Sequence, residues 1–131
     1  MRLIADTHVL LRWLFDARRL SVEQKRVLSL SVKRQEPIGI SAITLLEIAH
    51  LLGDGRLQLS VALDELFDRL QSDSVYRVLP ITYEIARESS YLGILRDPAD
   101  RSIVATARVH ALRLLTSDQR ILSTNLVSTI H

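Results

Sequence analysis

Asp6, Glu47, Asp100 and Asp118 are the residues of this 131-residue chain whose types and positions could do chemistry together. Asp6 follows the apolar run Arg2-Leu3-Ile4-Ala5 and directly precedes a segment of helical spacing, so it belongs either on the floor of a cleft or at a helix N-cap. In the cap role an aspartate oxygen accepts a backbone N–H and contributes about 1 kcal/mol. Glu47 shares a helical face with Ile43 and Leu51 at i−4 and i+4, so an acid interrupts an apolar stripe. Desolvating that carboxylate alone is costly, and a metal cation or an arginine would offset the cost.

Asp97-Pro98-Ala99-Asp100 has the form of a helix start, with Asp at the N-cap, Pro at the first position and an acid at the third. Asp100 then leads the apolar series Ile103, Val104 and Ala107, and is expected to turn inward while Asp97 caps. Asp118 lies just past the run Leu114-Leu115-Thr116 and could likewise be only a cap. Gathered within about 6 Å, four carboxylates would repel by roughly 3 kcal/mol per pair at an effective dielectric near 20. Such a cluster needs a cation. All-oxygen donors, no cysteine and no paired-histidine spacing point to Mg²⁺ or Mn²⁺ rather than zinc. His8, His50 and His110 are read as neutral packing or surface residues and His131 as a terminal one.

The elements that must position these acids show in the hydrophobic pattern. Short apolar runs at Arg2 to Ala5, Pro37 to Ile40, Tyr76 to Leu79, Arg113 to Leu115 and Leu126 to Val127 predict five strands. Helical spacing predicts helices over Thr7 to Phe15, Val22 to Lys33, Ala42 to Leu52, Ser60 to Leu70, Tyr83 to Leu92 and Pro98 to His110. Strands alternating with helices imply a parallel sheet covered on both faces, with ligands beyond the carboxyl ends of the strands. Three of the four acids follow strand runs or open helices, which puts them at one edge of that sheet.

Bulk properties narrow the classes. A composition of 47% apolar and 24% charged residues fits one folded domain over 1–131. The absence of cysteine removes disulfides and thiolate sites, and no segment has the apolar length of a signal peptide or a membrane span, so the expected location is the cytoplasm. A net charge of +2 does not by itself indicate nucleic acid, but from Arg96 onward the basic residues are Arg96, Arg101, Arg108, Arg113 and Arg120 against three acids. With those acids used in a site, the remaining charge there suits a phosphate backbone. No Gly-rich loop follows a strand, which sets aside dinucleotide and P-loop chemistry. A phosphoaspartyl enzyme built on Asp6 would usually carry a second acid two residues on, where this chain has His8.

The blocks Ile4-Ala5-Asp6-Thr7-His8-Val9-Leu10-Leu11, Ile40 to Ile48, Arg96 to Ala107 and Leu115-Thr116-Ser117-Asp118 together resemble a VapC-type PIN domain, in family order and over nearly the whole chain. The resemblance implies a three-layer α/β/α fold and maps the family's four acids onto Asp6, Glu47, Asp100 and Asp118. It further implies Mg²⁺ or Mn²⁺ as cofactor and cleavage of RNA phosphodiester bonds by a toxin with a cognate VapB-like antitoxin, usually as a homodimer. With that cofactor, Asp6 and Asp100 are expected to ligate the main metal ion, and Glu47 and Asp118 to complete its shell or bind waters and a possible second ion. Arg12 departs from the aromatic residue that relatives often carry before the tryptophan, here Trp13. Thr7 and Thr116 are expected to hold carboxylates, Arg101 and other cleft arginines to hold RNA, and the apolar Leu57 to Leu70 region to contact a second copy or the antitoxin. The alternative reading is a non-catalytic PIN-like RNA-binding module whose acids serve only as caps.

Overall fold

In the computed structural model, which describes residues 1–131, the alternating pattern becomes five parallel strands: β1 (Leu3–Ala5), β2 (Ile38–Ser41), β3 (Tyr76–Leu79), β4 (Arg113–Leu115) and β5 (Thr129–Ile130). Their order across the sheet is β3-β2-β1-β4-β5. The chain steps outward from β1 to β2 and β3, then returns to place β4 on the other side of β1. That reversal makes the gap above β1 and β4 a topological switch point, where helices diverge and a cleft forms. The register Ala5↔Ile40 and Ala5↔Leu115 brings the ends of three strands level.

Successive strand residues face opposite layers, as a pleat requires. Leu3 and Ala5 pack with Ile38, Ile40 and Leu115 under helices α1 (Thr7–Phe15), α2 (Val22–Lys33), α3 (Ala42–Gly53) and α4 (Leu63–Ser72). Ile4 and Leu114 face α5 (Tyr83–Ser89), α6 (Pro98–Val109) and α7 (Gln119–Leu122). The α/β/α expectation is met. Helix α3 touches both layers, through Leu45, Ile48 and Leu52 on one side and Ile43 on the other, so it spans the edge of the sheet where Glu47 sits.

Local chemistry sets the helix ends. Ser21 and Gln24 form a capping box at α2, Asp97 with Pro98 opens α6, and left-handed Gln35 and Ala111 turn the chain after α2 and α6. Three boundaries differ from the sequence pattern by more than two residues. Strand β5 is Thr129–Ile130 rather than Leu126–Val127, because left-handed Asn125 turns the chain and Leu126 and Val127 spend their apolar surface on the α6 layer while Thr129 and Ile130 pair with Leu114 and Leu115. Helix α4 begins at Leu63, and α5 ends at Ser89 before the loop that carries Leu92 and Leu95 into the core. The 3₁₀ turn Ala17–Arg19 and α7 are too short to show a period. No helix is long and apolar enough to cross a membrane.

The Leu57 to Leu70 region mainly serves its own core. Leu66 and Leu70 are buried, and Leu57, Leu59, Val61, Leu63 and Phe67 pack half-buried beside Trp13 and Phe15 on the first layer. The large apolar side chains left bare lie elsewhere, at Val22, Leu46, Tyr83, Tyr91 and Ile94 among others.

Candidate active site

Asp6 is the first residue past β1, with its backbone N–H donating to the Leu115 carbonyl, so the sheet itself places it. It is also the N-cap of α1: Oδ1 accepts from the Val9 N–H at 2.8 Å. Cap and candidate ligand are therefore one residue. Burial pushes its carboxyl up from the usual range, against the opposing effect of hydrogen bonding from Thr116 and the Val9 N–H.

Glu47 is half-buried on α3 and accepts from the Thr7 hydroxyl, which in turn lies 3.0 Å from the Thr44 hydroxyl. No arginine pairs with it. Asp97 caps α6, accepting from Ala99 and Asp100 N–H groups, and so frees Asp100 to face the cleft from the third position. Burial, reinforced by the charges of Asp97 and Asp118 and opposed by Arg120, raises Asp100 to about 6. Asp118 caps α7, and its own N–H donates to Thr116 Oγ1 at 3.1 Å. Its carboxylate is held below the usual range chiefly by Arg120, whose guanidinium donates to both of its oxygens at 3.2 and 2.9 Å.

These side chains open into one cavity of about 290 Å³ above the switch point, lined by Asp6, Glu47, Asp97, Asp100 and Asp118 together with Thr7, His8, Leu51, Ile103, Arg56 and Arg120. Five acids against two arginines make its wall acidic. The five acids arrive from four pieces of the fold: Asp6 and Asp118 from beyond the ends of β1 and β4, Glu47 from the middle of α3, and Asp97 with Asp100 from the start of α6.

The donor set suits a hard divalent ion. As the side chains stand, no three Asp, Glu or His groups share the geometry of one ion; Arg120 engages Asp118, and Thr7 engages Glu47. Magnesium typically takes only one or two carboxylates and keeps several waters, and Asp6 and Asp100 on an acidic cavity of about 290 Å³ fit that donor chemistry.

Two sequence expectations are corrected. Arg101 does not line the cavity: its guanidinium donates to the Leu95 carbonyl and reaches the Gly93 carbonyl at 3.5 Å, strapping down the loop before α6. Of the C-terminal arginines only Arg120 reaches the acids, and Arg108 ties Glu88 to the Leu126 carbonyl instead. The second cleft arginine is Arg56, just past the Asp54-Gly55 turn that ends α3, and its position after the helix bearing Glu47 was the available signal. His8, read as a packing or surface residue, is exposed and lines the cavity beside Asp6 and Asp118. Buried Gln24 was also missed as a support: beyond its capping box it donates to Ser117 Oγ at 3.2 Å and steadies the loop leading to Asp118.

A model of the PIN domain matches residues 3–125. The chain belongs to the PIN-domain family. This PIN domain is similar to Ribonuclease VapC22 of Mycobacterium tuberculosis, with 31% identity over 124 residues that cover 92% of this chain and 89% of the relative. Among solved structures it is similar to FitAcB from Neisseria gonorrhoeae, at 25% identity and a TM-score of 0.62, covering 98% of this chain and 96% of that one. It also matches VapBC2 from Rickettsia felis bound to a promoter DNA fragment, at 15% identity and a TM-score of 0.72, covering 99% and 98% of the two chains. That last likeness is one of fold: it matches the three-layer arrangement of this PIN domain.

Proposed function

We propose that this PIN domain, one unit over residues 1–131, is a divalent-metal-dependent endoribonuclease: the toxin of a VapBC-type pair, acting in the cytoplasm. The observation that carries this is the convergence of Asp6, Glu47, Asp100 and Asp118 on a single acidic cavity at the switch point of the sheet. The similarity to a named ribonuclease over nine-tenths of the chain supports the same chemistry.

In this reading Asp6 and Asp100 hold Mg²⁺ or Mn²⁺, and Glu47 and Asp118 complete the shell or orient its waters. The ion, when bound, supplies an activated water and neutralises charge on the phosphoryl oxygens. The chain does the positioning. Val9 N–H and Thr116 fix the rotamer of Asp6, Thr7 fixes Glu47, and the Asp97 cap holds the start of α6 so that Asp100 points into the cavity. Asp100 must lose its proton to serve, so cleavage rises as pH passes about 6. Arg56, which pairs with no carboxylate on the cavity wall, is placed to hold a substrate phosphate. The partners that follow are RNA, a VapB-like antitoxin occupying the acidic cleft, and a second copy of the chain.

The test is cleavage of total RNA by the purified protein with Mg²⁺ or Mn²⁺ against EDTA, alongside Asp6→Asn. Metal-dependent cleavage lost in the variant is the expected result. RNA binding that survives Asp6→Asn and ignores metal would instead identify a non-catalytic binding module.

A further inference from the structure

Arg120 stands where a cation is required. Its guanidinium donates to both oxygens of Asp118 and lies 3.8 Å from Asp100 Oδ2, so one positive group bridges two of the four acids. The guanidinium has nothing else to hold it: its side chain is 73% exposed, and α7, which carries it, is a four-residue helix at the surface. The two carboxylates it joins are only 17% and 21% exposed, inside the cavity wall.

An exposed arm neutralising two recessed acids has the form of a displaceable counter-charge rather than a structural strut. The cap of α7 does not depend on it, because Asp118 Oδ1 also accepts from the backbone N–H of Arg120 at 2.9 Å, a bond that any residue at this position keeps. Arg56 provides the contrast: it lines the same cavity with the same charge and engages no acid.

We infer that Arg120 is a built-in competitor for the metal site, occupying Asp100 and Asp118 in the metal-free protein and swinging outward when a divalent ion takes them. This rests on the proposed metal-dependent reading and deepens it. Metal entry then requires exchange of one cation for another, which raises the concentration of ion needed for loading and spares the empty site the repulsion of bare carboxylates. Once displaced, the guanidinium remains tethered two residues from Asp118, at the rim where an anionic substrate would approach.

The experiment is direct Mn²⁺ binding by calorimetry to the wild type, Arg120→Gln and Arg56→Gln, each with a metal-free thermal melt. Releasing Asp100 and Asp118 should tighten Mn²⁺ binding about threefold to fivefold in Arg120→Gln, the factor matching an exposed ion pair. Arg56→Gln, which removes the same charge without freeing a carboxylate, should shift it distinctly less. Equal shifts in the two variants, or weaker binding in Arg120→Gln, would overturn the competitor and leave the metal reading standing. Failure of all three proteins to bind Mn²⁺ would overturn both. The melt separates misfolding from a real loss of affinity, and Arg120→Lys, which keeps the charge but not the two-pronged grip, should fall between the wild type and Arg120→Gln.

Discussion

The Thr7 hydroxyl donates to the carboxylate of Glu47, joining the first turn of α1 to α3 across forty residues of chain. Thr7 has a single hydroxyl hydrogen, so the 3.0 Å contact with Thr44 must be donated by Thr44. A relay of two buried hydroxyls thus ends on one cavity acid. Thr7→Val keeps the shape and removes the relay, leaving a buried hydroxyl and a half-buried carboxylate short of partners. A loss of about 1–2 kcal/mol is expected, or roughly 4–8 °C in melting temperature, with cleavage reduced about tenfold rather than abolished. Unchanged cleavage would show that Glu47 needs no orientation from Thr7.

Asp6 combines two roles that substitution can separate. Asp6→Asn keeps an oxygen for the Val9 N–H and removes the charge, so metal-dependent cleavage should vanish with the melting temperature nearly unchanged. Asp6→Ala also loses the cap and should be destabilised by about a further 1 kcal/mol. Equal melting temperatures for the two variants would argue that the cap contributes nothing.

Asp100 predicts a pH dependence with a definite sign. Its carboxyl, raised by burial from 3.8 to about 6, binds its proton more tightly folded than unfolded. Stability of the metal-free protein therefore falls as pH rises from about 4 to about 6 and then levels off. Asp6, raised by the same cause, acts in the same direction. Asp118, held low chiefly by Arg120, acts in the opposite one, with its contribution lost only in stronger acid. Melts in EDTA should show the decline reduced in Asp100→Asn, while wild-type Mn²⁺ affinity climbs over the same interval. Parallel profiles for wild type and variant would refute the assignment.

Arg101 and Arg56 should separate a strap from a phosphate contact. Arg101→Ala frees the Leu95 and Gly93 carbonyls and should lower the melting temperature while leaving the salt dependence of RNA binding intact. Arg56→Gln should do the reverse, reducing the slope of log affinity against log salt by about 0.7 for a single-stranded substrate. Filter binding across a salt series checks both.

Much of the positioning was legible because it is local. Asp97-Pro98 opens a helix wherever it stands, so Asp97 could be read as the cap and Asp100 as the acid that turns inward. The end of a parallel strand is the edge where ligands gather, so a run such as Leu3-Ile4-Ala5 followed by Asp6 carries its location in its own order. Thr7 and Thr116 could be named as supports for the same reason, each lying next to an acid or two residues from one.

Hydrophobic period and capping chemistry, which act over one or two turns, thus determined from the sequence alone the alternating elements and the edge to which Asp6, Asp100 and Asp118 belong. The tertiary structure alone decided their surroundings: Arg120 and Arg56 rather than Arg101 on the cavity wall, Thr7 rather than an arginine as the partner of Glu47, and Thr129–Ile130 rather than Leu126–Val127 beside β4. An apolar side chain encodes only that it is buried. A long arginine can reach any acid within its radius, so its partner is set by which loops the packed layers bring together, and that choice is made across the fold rather than along the chain.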